Sequence, residues 1–69
     1  MTYEIVNHIG IIATKGGWSK EVNLVSWNSR PPKIDIRDWN ADHSVMKKGI
    51  TLTKEEAAAL AEILKGVDA

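Results

Sequence analysis

The chain has no cysteine among its 69 residues, which excludes disulfide bridges and cysteine-ligated zinc and fits a reducing compartment. No apolar run approaches the roughly 18 residues of a membrane span, and the first residues lack the basic region, apolar stretch and small-residue cleavage site of a signal peptide. The expectation is a cytoplasmic protein, free or nucleoid-associated, with no membrane partner. Histidine is scarce. His8 and His43 are the only two, and neither sits in an HExxH or comparable ligand spacing. There is also no glycine-rich phosphate loop before a helix and no nucleophile elbow. The reading is therefore of a chain with no catalytic residue, no metal site, no cofactor and no small-molecule substrate.

An excess of one charge is missing too, since nine Lys and Arg balance nine Asp and Glu. The balance is local rather than uniform. Between residues 15 and 48, Lys15, Lys20, Arg30, Lys33, Arg37, Lys47 and Lys48 face only Glu21, Asp35, Asp38 and Asp42, so this stretch carries +3 and the remainder −3. A neutral protein can carry a locally positive face in this way.

Residues 1–69 make one domain, because no second core could be built from what remains after the first. Cores this small seldom supply more than about 3–5 kcal/mol, and with disulfides excluded the remaining reinforcement is a second copy of the chain.

Residues 3–13, rich in β-branched side chains and ending at Lys15-Gly16-Gly17, read as a first strand. Residues 20–28 read as a second, closed by Asn28-Ser29-Arg30-Pro31-Pro32, whose turn chemistry a central strand would not tolerate. Residues 33–39 alternate cleanly, and residues 40–48 are a polar loop before a short strand at Gly49-Ile50-Thr51-Leu52. Thr53 and Glu56 then form a capping box opening a helix, and Gly66 marks its stop. Ala57, Leu60, Ala61, Ile63, Leu64 and Val67 span an apolar arc of roughly 160°, wider than the roughly 100° a surface helix needs. Leu60, Ile63, Leu64 and Val67 are thus the candidate dimer contacts. The fold class is α+β: a four-stranded antiparallel meander followed by one helix, β-β-β-β-α.

Trp27 and Trp39 bracket a hairpin turn and three cations. Strand alternation separates Ile34 and Ile36 from Lys33, Asp35, Arg37 and Trp39. If the isoleucines face the helix, Lys33, Arg37 and Trp39 face solvent, and the hairpin returns Asn23, Val25 and Trp27 to that same open face. Asp35 between two cations is a partner for Arg37 or a cross-strand cation. Trp18, beside the Gly16-Gly17 turn, either rims this face or packs over the core edge, and Lys47-Lys48 is either a phosphate clamp or a solvated loop. Rings interleaved with Lys and Arg suit single-stranded nucleic acid, because bases stack on the rings while phosphates meet the cations. The expected contact set is Trp27, Trp39, Arg37, Lys33, Arg30, Lys20, Lys47, Lys48, Trp18 and Asn23. The competing reading is a protein-interaction module that uses the same Trp face.

The run Trp27…Lys33-Ile34-Asp35-Ile36-Arg37-Asp38-Trp39, followed by Lys48-Gly49-Ile50-Thr51-Leu52 and the capped helix, resembles the positive cofactor four C-terminal domain family, closest to its small bacterial YdbC-like branch. The resemblance covers most of the chain, most clearly Lys20 to Val67. It implies a homodimer of β-β-β-β-α subunits that binds single-stranded DNA with little sequence preference, with RNA left open. Trp27 and Trp39 match the family's aromatic positions, Arg37 its strand-three arginine, and Lys33, Lys47 and Lys48 its basic positions. Val25 departs from it, standing where the eukaryotic pattern has a basic residue. The serine-rich regulatory region of eukaryotic members is absent from this sequence, so binding transfers better than a coactivator role, and the process served is left open between transcription regulation and DNA replication or repair.

Overall fold

The computed structural model describes residues 2–68. Strands β1 (Tyr3–Lys15), β2 (Trp18–Trp27), β3 (Lys33–Trp39) and β4 (Ile50–Leu52) lie side by side in chain order, all antiparallel, and helix α1 (Lys54–Lys65) follows. This is the expected α+β meander. β1 and β2 each run two residues further toward their shared turn than alternation suggested, because Gly16 (φ +58°) and Gly17 (φ +83°) close it in two residues. Both lie in the left-handed region, where glycine carries no Cβ strain and the turn's twist matches that of the hairpin.

At the other end of β2, Asn28 and Ser29 also adopt positive φ (51° and 62°), and the Arg30 N–H donates to the Trp27 carbonyl at 2.9 Å. The Asn28 N–H donates to the Thr2 carbonyl at 2.9 Å and the Thr2 N–H to Asn28 Oδ1 at 3.0 Å, so this turn anchors the start of β1. α1 opens on the expected capping box, with the Glu56 N–H donating to Thr53 Oγ1 at 3.1 Å and the Thr53 N–H to Glu56 Oε1 at 2.8 Å. No helix among the described residues is long and apolar enough to cross a membrane.

β1 is irregular. Its register on β2 slips between Ile5 and Asn7, between His8 and Gly10, and between Ile11 and Ala13, leaving Val6, Ile9 and Ile12 as three extra residues at equal spacing. Each such bulge bends a strand and increases its twist. Successive bulges therefore curl β1 over the sheet and carry Tyr3 onto one face.

The register of β2 on β3 divides the sheet cleanly. Glu21, Asn23, Val25 and Trp27 stand on one face with Lys33, Asp35, Arg37 and Trp39; Trp18, Lys20, Val22 and Leu24 stand on the other with Ile34, Ile36 and Asp38. A pocket shared by Leu24, Ile34 and Lys54 places the start of α1 beside the second face.

Burial overturns the expectation of a core beneath the helix. α1 buries none of its residues, and Ile34 and Ile36 are only half-buried. The buried apolar side chains are Val25 and Trp39, both fully enclosed, and Leu52. Trp39 was expected to face solvent. Instead its ring lies 5.3 Å from that of Tyr3 and 5.5 Å from that of His43, and the Tyr3 hydroxyl donates to the His43 carbonyl at 2.6 Å, closing the cover. Alternation had separated the two faces correctly, but which face is covered depends on segments far away in sequence.

Candidate nucleic-acid interface

Trp27 ends β2, and its half-buried ring is flanked by Tyr3 at 6.0 Å and by the Arg37 guanidinium at 4.7 Å from its centre. Arg37 is committed to the fold. Its Nε and Nη2 each donate at 2.7 Å to the fully buried Asp35 carboxylate, while Nη1 reaches the Lys47 carbonyl at 3.4 Å and Met46 Sδ at 3.5 Å. Thr51 Oγ1 donates to Asp35 Oδ2 at 3.1 Å. This two-pronged pair is the charge-assisted geometry that only a guanidinium can make. Arg37 therefore braces Trp27, β4 and the 46–47 segment, and its charge is neutralised by Asp35 as the spacing of the two residues suggested.

Gly49 keeps this junction tight, since a Cβ there would collide with Arg37 Cβ and the Ile36 carbonyl oxygen. By contrast, Arg30, Lys33, Lys47 and Lys48 are exposed and form no ion pair among the described residues. Lys33 sits opposite Val25, on the Trp27 face.

Two expected contact residues are corrected by burial. Trp39 has no exposed ring surface on which a base could stack, and Asn23 is likewise 0 % exposed, with its side chain bonded inside the protein. The single expected face is also two faces. Trp18 and Lys20 alternate with Glu21 and Asn23, so they stand away from Trp27; Lys47 joins them, its Nζ 4.3 Å from the centre of the Trp18 ring.

Sequence reading gave no role to the group that surrounds Asn23. His8 Nδ1 donates to Asn23 Oδ1 at 2.7 Å, Asn23 Nδ2 donates to Glu21 Oε1 at 3.1 Å, and His43 Nε2 donates to the same carboxylate oxygen at 2.9 Å. The available signal was parity, since Glu21 and Asn23 alternate into one face of β2; the histidines come from β1 and the 40–46 loop, which no local pattern ties to it. Among the described residues no three His, Cys, Asp or Glu side chains are placed to hold a metal ion.

Burial of Glu21 works to raise its pKa. Hydrogen bonds from Asn23 and His43 and the positive charge of His43 and His8 outweigh that, so it is held below the ordinary carboxylate value. A depressed folded-state pKa contributes stability above the unfolded value, and that stability is lost as pH falls from there through the folded value. The stability advantage of wild type over Glu21→Gln is expected to shrink as pH drops below about 4.5. Urea midpoints of the two proteins across that range measure it, and a constant difference would contradict the assignment.

Comparison with known proteins identifies the family. The chain is 47% identical over 66 residues to an uncharacterized protein of Treponema pallidum (strain Nichols), an alignment covering 94% of this chain and 78% of that one. Residues 14–63, from the end of β1 nearly to the end of α1, match the family described as Transcriptional Coactivator p15 (PC4). With most of its length in that match, the chain belongs to the Transcriptional Coactivator p15 (PC4) family, which is known for single-stranded DNA binding and transcriptional coactivation.

Proposed function

We propose that this protein is a non-enzymatic, cytoplasmic single-strand-binding module that holds DNA with little sequence preference as a homodimer. The observation that carries the reading is Trp27: a partly exposed ring, braced by Arg37, at the end of a strand whose neighbouring turn and loops present unpaired cations. Trp27 stacks a base, and Arg30, Lys33 and Lys48 meet phosphates. Arg37 positions the ring. Dimerisation is supported by the small buried core together with the apolar side chains of α1 and its C-terminal end, where Ile63 is 66 % exposed and Leu64 and Val67 are also uncovered. Leu60, half-buried, continues this stripe.

The test is titration of Trp fluorescence with a 20-nucleotide single strand and with its duplex, alongside sedimentation equilibrium. The single strand is expected to quench fluorescence and to bind more tightly than the duplex, Trp27→Ala to weaken binding by about 1–3 kcal/mol, and the free protein to sediment as two chains of 7.6 kDa. At about −0.7 per neutralised phosphate, about three contacts give log K against log salt a slope near −2.1. Equal affinity for duplex, or a slope near zero, would overturn the reading. Unchanged fluorescence together with no binding would favour the protein-interaction alternative, to which the exposed Val6, Ile9, Ile11 and Ile12 of β1 lend surface.

A further inference from the structure

At the Gly16-Gly17 end of the sheet, on the face away from Trp27, lies a pocket of about 240 Å³ whose lining includes Thr14, Lys15, Trp18, Lys20, Asp38 and Lys47. Its parts come from three places in the chain. Lys15 stands directly opposite Trp18 across the hairpin, Lys20 stands opposite Asp38 on β3, and Lys47 is brought in from the long loop because its N–H donates to the Asp38 carbonyl at 3.1 Å. Three lysines thus line one pocket with one indole and one carboxylate, and none of the three forms an ion pair among the described residues. Trp27 lies nine positions beyond Trp18, about 30 Å along β2 at roughly 3.4 Å per position, so this pocket is spatially separate from the Trp27 site.

We infer that this pocket is a second nucleotide-binding site, taking one nucleotide unit with its base against Trp18 and its phosphates on Lys15, Lys20 and Lys47. The ring and the cations point to that ligand together. Inorganic phosphate would use only the lysines, and an apolar ligand would desolvate three ammonium groups without giving them an anion. Lys47 now occupies the ring at 4.3 Å. An exposed cation–π contact is worth about 2- to 5-fold in an equilibrium constant, whereas a stacked base is worth about 5- to 150-fold. A base therefore displaces the ammonium, and the freed Lys47 turns to the phosphate of the same nucleotide. Asp38, opposite Lys20, is an acceptor suited to an exocyclic amine such as that of cytosine.

The inference rests on the single-strand reading for its biological ligand, but its test does not. The experiment is a two-dimensional NMR titration of the indole N–H signals of the full chain with deoxycytidine 3′,5′-bisphosphate, with inorganic phosphate and deoxycytidine as separate arms and the 20-nucleotide strand as a fourth. The bisphosphate is expected to shift the Trp18 signal and the Lys15–Trp18 amides saturably, with inorganic phosphate leaving the Trp18 indole in place. Trp18→Leu and Lys47→Ala should each weaken binding at least about 5-fold, the buried Trp39 signal reporting that each variant is folded. Lys20→Ala, on a fully surface position, serves as a further variant. An unmoved Trp18 signal while the 20-nucleotide strand still binds overturns the pocket and leaves the Trp27 reading standing. Equal shifts from inorganic phosphate would reduce the site to a nonspecific anion patch and overturn it as well. Failure of the long strand to bind, with the bisphosphate still shifting Trp18, would overturn the single-strand reading and support the pocket.

Discussion

Trp39→Ala is expected to unfold the protein rather than to weaken nucleic-acid binding selectively. The ring is fully enclosed, and among the described residues only Val25 and Leu52 accompany it as buried apolar side chains. Truncating a buried Trp to Ala costs about 3–5 kcal/mol, comparable to all that a core below roughly 70–80 residues supplies. The loss also uncaps Tyr3 and His43, whose rings rest on it at 5.3 and 5.5 Å. Circular dichroism melts at several protein concentrations measure the effect, because a dimer would make the midpoint concentration-dependent. A variant that melts like wild type yet fails to bind single strands would return Trp39 to the contact set and refute its structural assignment.

Arg37→Met should be the next most damaging change, by about 3–5 kcal/mol, because it strands a carboxylate that is 0 % exposed and that keeps, among the described residues, only the Thr51 hydroxyl as a side-chain partner. Arg37→Lys should recover only part of this loss, since an ammonium cannot donate to both Asp35 oxygens while spanning to the Lys47 carbonyl. The double variant Asp35→Val with Arg37→Met removes both charges and should regain most of the stability. Urea denaturation of the set measures the coupling. The double variant also separates two roles for Arg37. If Arg37 braces Trp27, the salt dependence of strand binding is unchanged; if it contacts a phosphate, the slope becomes shallower by about 0.7.

Many elements of this fold were legible from neighbouring residues. The Gly16-Gly17 and Asn28-Ser29 turns, the alternation of residues 33–39 and the Thr53–Glu56 capping box are each written within a few positions, and each appears where its chemistry places it. The same holds for the Asp35–Arg37 pair, two residues apart on one strand face. The candidate site was less legible. Parity correctly grouped Asn23, Trp27, Lys33, Arg37 and Trp39, and the same alternation along β2 puts Trp18 and Lys20 on the opposite face, against the single contact face expected.

The sequence by itself determined the order and type of the elements and which side chains share a strand face, because turns, caps and alternation are short-range steric and hydrogen-bonding effects. Only the tertiary structure decided which face is covered. That outcome depends on contacts between residues some 40 positions apart, Tyr3 with His43 and Trp39, brought together by the bulges of β1 and the 40–46 loop. Those contacts bury Trp39 and leave Trp27 partly open, while the Asp38–Lys47 backbone bond brings Lys47 to a second ring and two further lysines on the opposite face.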